Sequence, residues 1–111
     1  MSDHVEYLEL VPHEQATHLK VQLSYSLGGM NMFTYEQEPR GYYLSVSPVK
    51  REKLDYGTVE SYAFFTGTKQ LVLPVSRQSA KRMEQARKEA ESMRAPLIDY
   101  VLADQGLMLA S

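Results

Sequence analysis

Three histidines are the first residues to weigh for chemistry, since two of them flank a carboxylate in His13-Glu14-Gln15-Ala16-Thr17-His18, with His4 upstream. A zinc-hydrolase helix carries its two histidines four apart, so that both imidazoles leave one face. Here they are five apart, and the second opens a stretch that alternates like a strand. No metal or other cofactor is expected from that spacing. Ser24, Ser26, Ser45 and Ser47 sit at or beside polar strand positions and outside any Gly-x-Ser-x-Gly elbow. Glu36 and Glu38 could share acid–base work only in a cleft that drives their pKa values apart; a solvated loop is the simpler expectation. Gly28-Gly29 lacks the Lys-Ser/Thr that completes a phosphate loop and is read as a turn. The absence of cysteine removes disulfides, thiolate ligands and thiol nucleophiles together. A non-catalytic chain is expected.

The aromatic residues are more informative. The chain has eight Tyr, three Phe and no Trp, and Tyr25, Phe33, Tyr35, Tyr42 and Tyr43 gather around residues 25–43. Tyr42 and Tyr43 are adjacent in a strand-like stretch, so they leave opposite faces. One of them points away from the core, where it either packs on a cross-strand neighbour or meets a partner. Rigid rings with polar tips, set beside Asn and Arg, are what protein interfaces use. Asn31, Phe33, Tyr35, Arg40 and Tyr43 are therefore the candidate partner-binding residues. The same kind of ring stacks on unpaired bases. Under that alternative Lys20, Arg40, Lys50, Arg51 and Lys53 are the candidate phosphate contacts.

Charge favours neither polyanion binding nor its opposite for the chain as a whole. The net charge is −2, with five Lys/Arg against eight Asp/Glu in residues 1–55 and seven against six in 56–111. Local basic clusters remain at Lys50, Arg51 and Lys53, and in Ser76–Arg94, where six cations face three Glu. Solvated surface is the bland account of both. No apolar run approaches the roughly 18 residues of a membrane span, and Met1-Ser2-Asp3-His4 does not open a signal peptide. A cytoplasmic protein with no membrane partner is expected.

The elements that would position these residues follow from periodicity. His18–Leu27 alternates Leu19, Val21, Leu23, Tyr25 and Leu27 with polar residues, which predicts a strand with one covered and one wet face. Further strands are expected at His4–Val11, Gly41–Val49, Thr58–Thr66 and Gln70–Val75, with residues 28–40 as a long loop or irregular hairpin. Pro48 and the basic run Lys50–Lys53 should close the strand that begins at Gly41. Asp55-Tyr56-Gly57 is a turn signal. Ser76 is the expected N-cap of a helix from Arg77 onward, with an apolar stripe at Ala80, Met83, Ala86, Ala90, Met93, Leu97 and Val101. Pro96 lies within that stripe and predicts a kink or break. Gly106 is the expected terminator, and Leu107, Met108 and Leu109 should fold back onto the domain or a partner.

The length of 111 residues suits one domain. The expectation is α+β: an antiparallel meander of four or five strands over 4–75, one face covered by a C-terminal helix over 76–105, and an apolar tail at 106–111. The narrow Ala/Met stripe could also pack on a second copy, so a homodimer is a further expectation.

Two resemblances add to this. Ser26-Leu27-Gly28-Gly29-Met30-Asn31 and Glu38-Pro39-Arg40-Gly41-Tyr42-Tyr43-Leu44-Ser45-Val46-Ser47-Pro48-Val49 resemble segments of uncharacterised small proteins of bacterial mobile elements and phages, over about residues 18–105. That likeness implies an accessory role exerted by binding a protein, one version being inhibition of a host defence enzyme. The order of four strands and a helix over 18–94 is similar to the module shared by the transcription coactivator PC4 and the PUR single-strand-binding proteins. That likeness implies a nucleic-acid-binding dimer, and no residue motif transfers with it.

Overall fold

The computed structural model describes residues 4–30, 35–62 and 67–110. Among these residues seven strands precede one helix: β1 (His4–Glu9), β2 (His18–Ser26), β3 (Gly29–Met30), β4 (Gln37–Glu38), β5 (Gly41–Leu54), β6 (Gly57–Tyr62), β7 (Thr68–Leu73) and α1 (Ala80–Gln105). The main sheet is antiparallel and runs β1-β2-β5-β6, with β7 also on β5, while β3 and β4 form a separate two-stranded ladder. The expected α+β architecture, a sheet of about five strands with one long C-terminal helix, is the one found.

β2 behaves as its alternation predicts. Leu19, Val21 and Leu23 are buried, and the residues between them are only partly so. Tyr42, Leu44 and Val46 of β5 continue the same face. Met83, Ala86, Ala90, Leu97, Ile98 and Val101 of α1 close over it. Each fully buried Leu, Val or Met side chain contributes about 1.5–3 kcal/mol relative to exposure. The core therefore lies between one sheet face and the helix.

β5 is longer than its sequence suggested, because Pro48 does not end it. The strand continues to Leu54 and turns through Asp55-Tyr56 into β6. Val49 faces Tyr62 of β6, and Val46 faces Thr68 of β7. Val49 aims its carbonyl at Thr17 N–H and Arg51 aims its N–H at Thr17 Oγ1. The backbone of Pro48 therefore points away from β2, so its missing N–H removes no bond to that strand. β6 and β7 lie end to end along β5, so the fourth expected strand does not extend the meander by one more place.

One expectation about α1 is corrected. Its N-cap is Ser79, whose side chain accepts from Arg82 N–H at 3.1 Å, so Ser76–Gln78 precede the helix instead of opening it. Tyr42 Oη donates to the Ser79 carbonyl at 3.4 Å and fixes this start over the sheet. The helix then continues unbroken through Pro96. Pro96 is exposed, and both halves of α1 bury apolar residues on the same sheet face. That packing outweighs the one backbone hydrogen bond Pro96 removes.

Gly106 ends the helix in the left-handed conformation, φ 65°, and its N–H bonds to the Leu102 carbonyl. The tail folds back as expected. Leu107 is buried, and Leu109 bridges to Leu10. Val11 N–H donates to Met108 and Ala110 N–H to Glu9, both at 2.9 Å. Residues 108–110 thus pair with the stretch that follows β1 through one antiparallel bridge.

Candidate functional site

Two surfaces gather the residues singled out above. The first is the hairpin between β2 and β5. Gly29 pairs with Glu38 and Met30 with Gln37 in a ladder separate from the main sheet. Three of its described apolar side chains are exposed. Leu27 is 72% exposed, Met30 61% and Tyr35 78%. Tyr35 has φ 58°, a left-handed backbone that costs a non-glycine residue about 1–2 kcal/mol. Asn31 and Phe33 lie outside the described residues.

Arg40 stands at the base of this hairpin. Its Nε donates to the Leu27 carbonyl at 3.1 Å and its NH1 to the Ser76 carbonyl at 3.4 Å. It therefore ties the hairpin to the loop that leads into α1, while the residue remains exposed. The adjacent Gly41 is closed to any side chain, since a Cβ there would run into the Leu73 carbonyl and the Pro74 backbone.

Tyr43 takes the face opposite Tyr42, as adjacent strand residues must. It is not free for a partner, however, because it is only 6% exposed. Its Oη donates to the Pro39 carbonyl at 2.7 Å, and Lys69 Nζ lies 5.0 Å from its ring centroid. Lys69 also pairs with Glu38 of β4 at 2.9 Å. Burial raises the Tyr43 hydroxyl pKa, the Glu38 charge adds to that, and Lys69 opposes it. Tyr43 thus secures the hairpin to the sheet from beneath. Tyr25 also belongs inside: it packs edge-on to Tyr42, and its Oη donates to Val75 O at 3.4 Å.

The second surface is the sheet face away from the helix. Tyr7 of β1, Lys20 of β2, Arg51 of β5 and Glu60 of β6 converge there. Glu60 accepts from Tyr7 Oη at 2.7 Å and from Lys20 Nζ at 2.9 Å. The Arg51 guanidinium lies 3.9 Å above the Tyr7 ring, and His18 meets that ring edge-on. Partial burial alone would push the Glu60 carboxyl up. The hydrogen bonds from Tyr7 and Lys20, with the Lys20 and Arg51 charges, outweigh it and hold the group below the usual carboxylate range. The hydrogen bond to Glu60 is also the main cause of the raised Tyr7 hydroxyl pKa, followed by burial and the Glu60 charge.

The five candidate phosphate contacts are therefore not one patch. Lys20 and Arg51 share a face and a carboxylate. Arg40 is at the hairpin base. Lys50 donates to the Glu14 carbonyl at 3.3 Å and pairs with Glu52, and Lys53 is exposed near the β5–β6 turn. The histidines do not converge either. His4 lies on β1, His13 Nδ1 accepts from Gln15 N–H, and His18 lies on β2. Among the described residues no three His, Asp or Glu side chains are placed to hold one metal ion. No helix among them is long and apolar enough to cross a membrane.

Sequence reasoning missed Leu27, Met30, Tyr7 and Glu60. The signal for Glu60 was present, since it is the sole acid between Tyr56 and Met83. Comparison with family models, with curated proteins and with solved structures gives no match.

Proposed function

We propose that this chain is a non-catalytic binding module that engages a protein partner through the hairpin at residues 27–40. The observation that carries this is the exposure of Leu27, Met30 and Tyr35 in and beside one short ladder, whose base is fastened by Arg40 and Tyr43. Large apolar side chains presented together on a braced support favour a protein interface over a solvated loop. The strained backbone at Tyr35 supports the same role, since such strain is kept where surroundings and function demand it. With the sequence likeness to mobile-element proteins, the fitting setting is cytoplasmic, and one version of the activity is inhibition of a host enzyme.

The test is a double variant, Leu27→Ser with Met30→Ser. Both side chains are exposed, so its thermal unfolding should match the wild type, while capture of the partner from a host extract is lost. Retained capture would overturn the proposal.

A second reading rests on the opposite sheet face, where Tyr7, Lys20 and Arg51 stand together. There the chain would be a single-strand nucleic-acid-binding dimer. Glu60 counts against it, because that carboxylate already pairs with Lys20 and places a negative charge among these residues. Affinity for an oligonucleotide that falls steeply with salt is its signature; no binding at low ionic strength would eliminate it.

A further inference from the structure

The loop before α1 and the first turn of that helix carry a charge pattern that the proposed function has not used. Between Ser61 and Met83 there are four cations, Lys69, Arg77, Lys81 and Arg82, and no Asp or Glu. Arg77, Lys81 and Arg82 are exposed, and none forms an ion pair among the described residues. An open hollow separates Pro74 and Ser76 from Arg82.

This cationic ledge adjoins the hairpin. Arg40 bonds to Leu27 on one side and to Ser76 on the other. Tyr25 and Tyr42 hold the Val75 and Ser79 carbonyls from below. Arg40 therefore links the base of the hairpin, with its exposed Leu27, to the loop that leads into the exposed Arg77, Lys81 and Arg82. An isolated cluster of exposed cations is ordinary surface. Cations beside an exposed apolar group are different, because the pair matches a partner that is both acidic and apolar.

We infer that the partner segment is an acidic amphipathic stretch of protein. Its apolar side chains meet Leu27, Met30 and Tyr35, and its Asp and Glu residues meet Arg77, Lys81 and Arg82. This rests on the hairpin being the binding surface. Of these three side chains Tyr35 alone offers a plane for a base, and Leu27 and Met30 offer none, so a protein segment fits this surface better than a nucleic acid.

The experiment selects a random peptide library on the immobilised full chain and measures the enriched peptides against two variants, Leu27→Ser/Met30→Ser and Arg77→Gln/Lys81→Gln/Arg82→Gln. The expected peptides combine Asp or Glu with Leu, Met or Phe. They bind more weakly as salt rises, and each variant weakens them by about tenfold or more. Enriched peptides that are neutral or basic, or that bind the charge variant as well as the wild type, overturn the acidic partner. If those same peptides are lost on Leu27→Ser/Met30→Ser, the hairpin stands as the binding surface without it. Peptides indifferent to both variants, or no enrichment, overturn both proposals. An oligothymidine bound more tightly than any peptide, and lost on the charge variant, assigns the ledge to nucleic acid and also overturns the inference.

Discussion

The Arg94 guanidinium grips the Glu6 carboxylate with two bonds, Nε to Oε2 at 3.0 Å and NH2 to Oε1 at 2.7 Å, across 88 positions of sequence. It joins the middle of α1 to β1, at the mouth of a cavity of about 50 Å³ between helix and sheet. Paired, parallel bonds of this kind are the strongest form of surface ion pair.

Both partners remain partly in water, which limits the effect. Arg94→Gln and Glu6→Gln should each lower stability by about 0.5–1 kcal/mol. In a double-mutant cycle by urea unfolding the two losses should not add, and the coupling should shrink at high salt. Full additivity would show the two residues acting separately.

The same small cavity separates two alanines. Ala86 is fully buried, so Ala86→Leu should cost about 1–3 kcal/mol through overpacking. Ala90 lines the cavity, so Ala90→Val has room for its added methyls. Burial then offsets the lower helix propensity of Val, leaving a change within about 0.5 kcal/mol. Equal losses for the two variants would contradict this account of the interface.

Tyr35 provides a test of strain. Tyr35→Gly relieves the left-handed backbone, so stability should hold or rise by up to about 1 kcal/mol in thermal unfolding. Partner capture should fall at the same time, because the ring is gone. A variant that unfolds more easily would place Tyr35 in a structural role.

The Glu60 network predicts a pH dependence with a definite sign. Its folded pKa lies below the ordinary 4.5, so its contribution is present above 4.5 and is lost as the pH falls through the lower folded value. Glu60→Gln should flatten that part of the stability–pH curve. Tyr7 has the opposite sense. Its folded pKa lies above 10.0, so its contribution is present below 10.0 and lost as the pH rises through the higher folded value. Ultraviolet titration of Tyr7→Phe should lack one late-ionising tyrosine.

What was legible in the sequence depended on how local the cause was. Leu19, Val21 and Leu23 announced their strand because a half-covered sheet face demands alternation. Gly106 announced the helix end because few residues other than glycine take φ 65° easily. Pro48 misled for the converse reason. It lacks an N–H, but whether that matters depends on which neighbour the backbone faces, and at Pro48 it faces away from β2. The hairpin candidates divided in the same way. Tyr35 and Arg40 stand exposed at the hairpin, whereas Tyr43 is covered by Pro39 and Lys69, a pairing made across a sheet that no spacing encodes.

The pairing of Leu109 with Leu10 orders events during synthesis. β1 leaves the ribosome well before the segment that bridges to its far end and the helix that roofs its sheet. Until residues 108–110 have emerged, the Val11 N–H and the Glu9 carbonyl that they satisfy stay open on the nascent chain.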